Sequence, residues 1–226
     1  MEIAVLGTGA VGQALAAGFA GLGHEVVVGT RDVADTMSRT EPDGWGRPGY
    51  GVWQTEHPDV RLVTYAEAAA TGDIVVNATN GAGAMDALAA AGADALADKV
   101  LIDASNPLDF SQGMPPTLFV KDTDSLGEQI QRTYPDARVV KTRNTMTAAL
   151  MTDPGLLAAG DHTVFVSGND EAAKQAVTGL LRDFGHTDVL DLGDITTARG
   201  TEMYLPLWLR LWEAVGTPML NVKVVR

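Results

Sequence analysis

An α/β fold built on a doubly wound parallel sheet is what this sequence predicts, and three observations carry the prediction. Short apolar runs alternate with helical patterns along most of the 226 residues, as in βαβ units whose parallel strands need a crossover helix. Gly7, Gly9 and Gly12 stand directly between the first such run and the first helical pattern. Polar, turn-forming clusters follow the fourth, fifth and sixth runs, where ligands of open α/β sheets bind.

Glu2–Leu6 is nearly continuous apolar sequence ending at glycine, the pattern of a strand covered on both faces. In the helix that follows, Val11, Ala14, Leu15, Gly18, Phe19 and Leu22 share one stripe, and Gly23 supplies the stop. Glu25–Val28 is the second strand. The three pieces make a βαβ unit with a glycine-rich first turn, the context of a Rossmann-type nucleotide fold. From Asp32 to Asp59 the pattern weakens to a short helix over Val33–Ser38 and a Gly- and Pro-rich loop holding Trp45, Tyr50 and Trp53. A loop of that length is read as an ordered functional insert or a mobile lid.

The alternation then resumes, with strands at Arg61–Val63, Asp73–Asn77 and Val100–Asp103 and helices at Tyr65–Ala70 and Ala84–Ala91. Ser105–Pro116 is a loop, Ser125-x-x-Glu128 opens a helix with capping-box spacing, and Ala137–Lys141 is the sixth strand. After Asn144 the style changes: strands at Thr163–Val166 and Asp188–Leu190 flank a helix capped by Asn169. A last helix, Thr201–Val215, starts or kinks at Pro206 and is apolar nearly all round. These features divide the chain into a nucleotide-binding domain over 1–142 and a small C-terminal α/β domain over 143–226. The stretch Tyr204–Trp212 would expose a large apolar patch unless covered, so a homodimer is expected.

Composition excludes several functions. Against 29 Asp+Glu stand 16 Lys+Arg, a net charge of -13 without a local basic patch; nucleic acid and anionic membrane surfaces are not expected partners. The absence of cysteine removes disulfides, thiolate metal sites and cysteine nucleophiles. No metal-ligating constellation, signal segment or membrane-length apolar run is read, so a cytoplasmic protein without metal is expected.

The glycine motif carries the strongest chemistry. Gly7 permits the tight turn, Gly9 lets a pyrophosphate approach the backbone, Gly12 lets helix and strand pack, and the amides of Ala10 and Val11 face an anion. The second strand ends in Gly29-Thr30-Arg31, without the carboxylate that would hold an NAD ribose. Thr30 and Arg31 suit a 2′-phosphate, which favours NADP; the alternative leaves Arg31 on the surface and gives the ribose to Asp32. Three strand ends, Asn77-Ala78-Thr79-Asn80, Ser105-Asn106-Pro107 and Thr142-Arg143-Asn144-Thr145-Met146, would converge on a cleft beside the nicotinamide, although each asparagine alone also suits a turn.

Together, Gly7–Gly12, the run Gly23–Arg31, Asn77–Asn80, Ser105-Asn106-Pro107-Leu108 and Asn144-Thr145-Met146 resemble the bacterial family of coenzyme F420-dependent NADP oxidoreductases. That family includes the F420H2:NADP oxidoreductases, and the reductase domains of the STEAP metalloreductases are related to it. The resemblance extends to Ala198–Glu202 and Asn221–Val225. It implies a Rossmann domain with a small C-terminal domain, usually dimeric, and NADP phosphate contacts at Thr8, Gly9, Ala10, Val11, Thr30 and Arg31. Two departures stand out: Asn144-Thr145-Met146-Thr147 replaces the His-Thr-Ile-Pro of the archaeal enzymes, and the segment Asp32–Asp59 is long.

Hydride transfer to a flavin or deazaflavin needs alignment rather than an acid–base residue, whereas carbonyl reduction needs a proton donor. None of His24, His57, His162 and His186 lies in a strand-end motif, and Arg199 and Glu202 are spaced for a local ion pair. The expected function is an NADP(H)-dependent oxidoreductase acting on a small redox partner, flavin-like or F420. The alternatives are reduction of a small carbonyl or imine, or a non-catalytic NADPH sensor. Asn106, Asn144, Thr145, Met146 and Arg143 are the expected contacts to that partner. Lys141 and Arg143 are the expected cations for an anionic one, with Lys121 and Arg132 farther off.

Overall fold

The computed structural model describes residues 1–44 and 46–226; Trp45 of the long loop lies outside the described residues. The elements run β1 (Glu2–Leu6), α1 (Ala10–Gly21), β2 (Glu25–Thr30), α2 (Val33–Ser38), α3 (Tyr50–Glu56), β3 (Arg61–Thr64), α4 (Tyr65–Thr71), β4 (Ile74–Asn77), α5 (Gly81–Ala91), α6 (Ala93–Leu96) and β5 (Val100–Asp103). They continue with β6 (Leu108–Asp109), β7 (Thr117–Leu118), α7 (Leu126–Thr133), β8 (Arg138–Thr142), α8 (Ala148–Thr152), β9 (Thr163–Gly168), α9 (Glu171–Asp183), β10 (Asp188–Asp191), α10 (Ala198–Met203) and α11 (Leu205–Val215).

Eight strands form one sheet in the order β3-β2-β1-β4-β5-β8-β9-β10. From β3 to β8 every pair is parallel, as the βαβ alternation predicts. The register sets Leu6 beside Gly29 and Asn77, so the polar strand ends emerge along one edge. Two apolar layers cover the sheet. One joins α1, α8 and α9 through Leu15, Phe19, Leu150, Leu181 and Phe184; the other joins α4, α5 and α7 through Ala68, Leu88, Leu126 and Ile130.

The boundary expected at 142/143 falls inside this sheet. β9 pairs antiparallel with β8, Val140 opposite Gly168, and β10 pairs parallel with β9. Phe184 at the end of α9 meets Phe19 of α1 edge to face at 5.0 Å. Residues 143–226 therefore extend the first sheet and share its core, because β8 offers an open edge and α1 an apolar face that α9 can cover.

Three local expectations change. A helix over Tyr50–Glu56 replaces part of the presumed loop because Tyr50 and Trp53 are buried in the core. Asp170 rather than Asn169 caps α9, while the Asn169 side chain accepts from the Ile195 amide. The helix read over Thr201–Val215 breaks at Tyr204, and Pro206 sits in the first turn of α11. Leu205, Trp208 and Leu209 of α11 pack on Leu118 of the β6–β7 hairpin, so much of the apolar stretch is covered within the chain. No helix among the described residues is long and apolar enough to cross a membrane.

Candidate functional site

The glycine turn is built for a close-lying anion. Gly7 has a φ of 121°, and a Cβ there would lie 2.7 Å from the Ala78 carbonyl oxygen; a Cβ on Gly12 would overlap the Gly7 carbonyl. Both glycines are thus fixed by backbone packing. Gly9 differs, since a Cβ there would meet no protein atom within 4 Å. The first bond of α1 runs from Gln13 N–H to the Gly9 carbonyl, and no side chain caps the helix. The amides of Ala10 and Val11 therefore remain at the positive end of a helix that opens on free space. A dinucleotide pyrophosphate fits that space.

At the end of β2 the buried Thr30 hydroxyl is shared with Thr36 at 2.7 Å. Arg31 is exposed and makes no hydrogen bond or ion pair among the described residues. Asp32, the rival candidate for a ribose, accepts from the Asp35 amide at 2.9 Å as the cap of α2. A free guanidinium beside an occupied carboxylate suits a 2′-phosphate.

The strand ends enclose a cleft of about 690 Å³. Val11, Thr79 and Asn80 form one side, Ser105 and Asn106 the floor, and Leu108, Phe110 and Phe119 the far side. Phe110 is 57% and Phe119 44% exposed, held out by the β6–β7 hairpin. Sequence pattern marks 105–116 only as a loop, although an aromatic residue in a Gly- and Pro-rich segment is a usable signal. Asp109 is the titratable residue lining the cleft. Hydrogen bonds from the Ser111 amide and hydroxyl hold its carboxyl below the usual range, so it stays ionised.

Several expected site residues lie elsewhere. Asn77 is fully buried: it donates to Asp103 at 2.9 Å and accepts from the Thr79 hydroxyl at 2.7 Å, bracing the cleft from behind. Ala78 is buried against the glycine turn. Met146 sits in the core, and the Thr145 hydroxyl is buried without a hydrogen-bond partner. Asn144 is buried but reaches the floor through Asn106.

Neither expected cation faces the cleft. Lys141 is sealed in the core, 2.8 Å from Asp103 and 2.7 Å from Glu202, and donates to the Ser105 carbonyl. Burial alone would lower its pKa; the two carboxylates outweigh that and raise it. Glu202 also accepts from the Leu126 and Gly127 amides at the start of α7. The Arg199–Glu202 pair consequently does not form, and Arg199 binds Glu128 instead. Arg143, with φ 62°, turns its guanidinium between Phe184 and Phe19, 4.5 and 5.6 Å from their ring centres. Its Nε and Nη1 have no hydrogen-bond partner, and burial lowers its pKa to about 9. Arg132 pairs with Asp124, while the Lys121 ammonium is exposed and makes no ion pair among the described residues.

Comparison with known proteins fits this geometry. The family described as NADP oxidoreductase, coenzyme F420-dependent, matches residues 2–107. A crystal structure of a candidate F420-dependent NADP-reductase from Arthrobacter sp. FB24 superposes with a TM-score of 0.95 at 59% identity, covering 100% of both chains. The chain belongs to the F420-dependent NADP oxidoreductase family. Accordingly it is an NADP-dependent oxidoreductase. The F420-dependent NADP reductase of Methanothermobacter marburgensis is 27% identical over 93% of this chain and 92% of its own. Metalloreductase STEAP3 of Rattus norvegicus is 28% identical over 92% of this chain, which spans 38% of that protein's length.

Proposed function

We propose that this family member transfers hydride between NADP(H) and the deazaflavin F420. The observation that carries the reading is the chemistry of the cleft: two outward phenylalanines, two asparagines, and no histidine, tyrosine or lysine among the described residues that line it. Ring-to-ring hydride transfer needs such a site, whereas reduction of a carbonyl or imine needs an acid that Asp109, held ionised, does not supply. The names of the Arthrobacter and Methanothermobacter proteins support the same partner.

When bound, NADP(H) supplies the hydride chemistry. The residues that would hold it are Thr8, Gly9, Ala10 and Val11 at the pyrophosphate, Arg31 at the 2′-phosphate with the buried Thr30–Thr36 pair bracing the strand end behind it, and Thr79 and Asn80 toward the nicotinamide. Asn106, fixed by Asn144, orients groups at the cleft floor. Phe110 and Phe119 exclude water and present flat faces to a planar ring. We further propose a homodimer through the outward apolar residues Leu207 and Val215 of α11, readable by light scattering.

The test is anaerobic mixing of NADPH with F420, FMN, FAD, a quinone, and a small ketone or imine, following NADPH oxidation. Rapid turnover with F420 is the expected result. Turnover confined to the ketone or imine would overturn the reading, and tight NADPH binding without turnover on any acceptor would leave a sensor.

A further inference from the structure

Behind the cleft floor three charged side chains are sealed in the core. Asp103 ends β5, Lys141 stands beside it in β8, and Glu202 reaches in from α10; none is more than 1% exposed. The Lys141 ammonium bridges the two carboxylates, 2.8 Å from Asp103 and 2.7 Å from Glu202, and also donates to the Ser105 carbonyl at 2.7 Å. Two carboxylates against one ammonium leave the cluster with one negative charge in excess. The Leu126 and Gly127 amides that hold Glu202 belong to the start of α7, and such a helix end offsets only about half a charge. Arg199, the other cation of α10, is neutralised by Glu128 at 2.6 Å.

Asp103 lies directly beneath the cleft. It accepts from the Ser105 hydroxyl at 2.6 Å, the Ser105 amide at 3.1 Å and the Asn77 side chain at 2.9 Å. Asn77 in turn accepts from the Thr79 hydroxyl at 2.7 Å. Ser105 and Thr79 both line the cleft, so its floor and one side are tied to the buried carboxylate. No lysine or arginine is among the described residues that line the cleft, whereas the ionised Asp109 is. A charge excess in a dry interior is weakly screened, and its field reaches the groups packed above it.

We propose that the Asp103–Lys141–Glu202 cluster discriminates between the two redox forms of the coenzyme, favouring bound NADP+ over bound NADPH. Departure of a hydride, one proton with two electrons, leaves the nicotinamide ring with one positive charge. The excess negative charge lies on the inner side of the cleft, so it stabilises the oxidised ring relative to the neutral reduced one. Bound NADPH thereby becomes a stronger hydride donor. Lys141 and Glu202 touch neither coenzyme nor acceptor; they are positioning residues that set the charge and hold Asp103. The inference rests on the placement of the nicotinamide beside Thr79 and Asn80, and it is independent of which acceptor takes the hydride.

The experiment is titration of the purified protein with NADP+ and with NADPH, without any acceptor. Glu202→Gln removes the excess charge and should weaken NADP+ about threefold, with NADPH within about 1.5-fold of the wild type. Adding Lys141→Met leaves Asp103 as the single net charge, so the double variant should return the ratio of the two affinities to its wild-type value. A purely structural role predicts the reverse, because the double variant disturbs the buried network more. An unchanged ratio in Glu202→Gln, or a double variant no nearer to the wild type, would overturn the proposal. Should either variant fail to fold, the wild type decides: a preference for NADPH over NADP+ beyond about tenfold overturns the proposal, and a smaller or reversed one upholds it. The emission of bound NADPH tests the placement separately. A ring in the cleft should fluoresce at shorter wavelength than free coenzyme; emission like that of free coenzyme would put the ring in solvent and defeat the placement, and the proposal with it.

Discussion

Asn106 and Asn144 hold each other across the ends of two neighbouring strands. The Asn106 amide donates to the Asn144 carbonyl at 2.8 Å, and the Asn144 amide returns a bond to the Asn106 side-chain oxygen at 3.0 Å. Each leaves β5 or β8 where the strand ends, so the pair fixes the floor of the cleft. Replacing either with alanine should lower kcat with the acceptor about tenfold and change NADPH affinity less than threefold. The double variant should cost little more than Asn106→Ala alone, because that change removes both bonds whereas Asn144→Ala leaves the bond to the Asn144 backbone carbonyl. Additive losses would show that the two asparagines act separately.

Gly9 and Gly12 separate binding from folding. Gly9→Ala meets no protein atom, so its melting temperature should match the wild type, yet NADPH should bind at least tenfold more weakly as the methyl enters the anion's space. Gly12→Ala strikes the Gly7 carbonyl and should destabilise the fold by about 3 kcal/mol, lowering Tm whether or not cofactor is present. Thermal melts and coenzyme titration on both variants decide the matter.

His186 should make stability fall in mild acid. Burial, assisted by the charge of Arg143, lowers its pKa from 6.5 to about 4. The folded residue stays neutral while the unfolded one takes a proton, so its contribution is full above pH 6.5 and is lost as the pH drops toward 4. The loss amounts to about 3 kcal/mol. Asp124 and Asp188, held near 2, act below that window. Urea unfolding at about pH 7.5 and about pH 4.5 should show the slope, and His186→Gln should flatten it; an unaltered slope would assign the acid sensitivity elsewhere.

F420 is anionic, and among the described residues near the hairpin Lys121 offers an exposed ammonium without an ion pair. Lys121→Ala should raise the KM for F420 about threefold at low salt and much less in high salt, with the KM for NADPH unchanged. Equal effects at both salt levels would place the anion's contacts elsewhere.

The sheet and the glycine turn were legible because each is encoded locally, by apolar runs and turn chemistry. Lys141 and Arg143 were not. Both flank the end of β8, at a ligand-binding edge, and nothing nearby in sequence contradicts that role. What buries them is distant: Glu202 on α10 neutralises Lys141, and Phe19 and Phe184 sandwich Arg143. The same distance hid Glu202 from its expected partner Arg199. Helix α3 escaped because its glycine and aromatics are poor helix formers, and burial of Tyr50 and Trp53 overrides that preference.

The β6–β7 hairpin has its own seat on α11, through Leu118 against Leu205, Trp208 and Leu209, apart from the strands that carry the phosphate loop. On the proposed reading of the cleft, evolution can exchange one electron acceptor for another by rewriting residues 108–119 while the coenzyme half stays constant. Substitutions on α11 that never touch a ligand would tilt the two phenylalanines and retune which rings are admitted. Divergence among such enzymes should concentrate in this short stretch and in the helix beneath it.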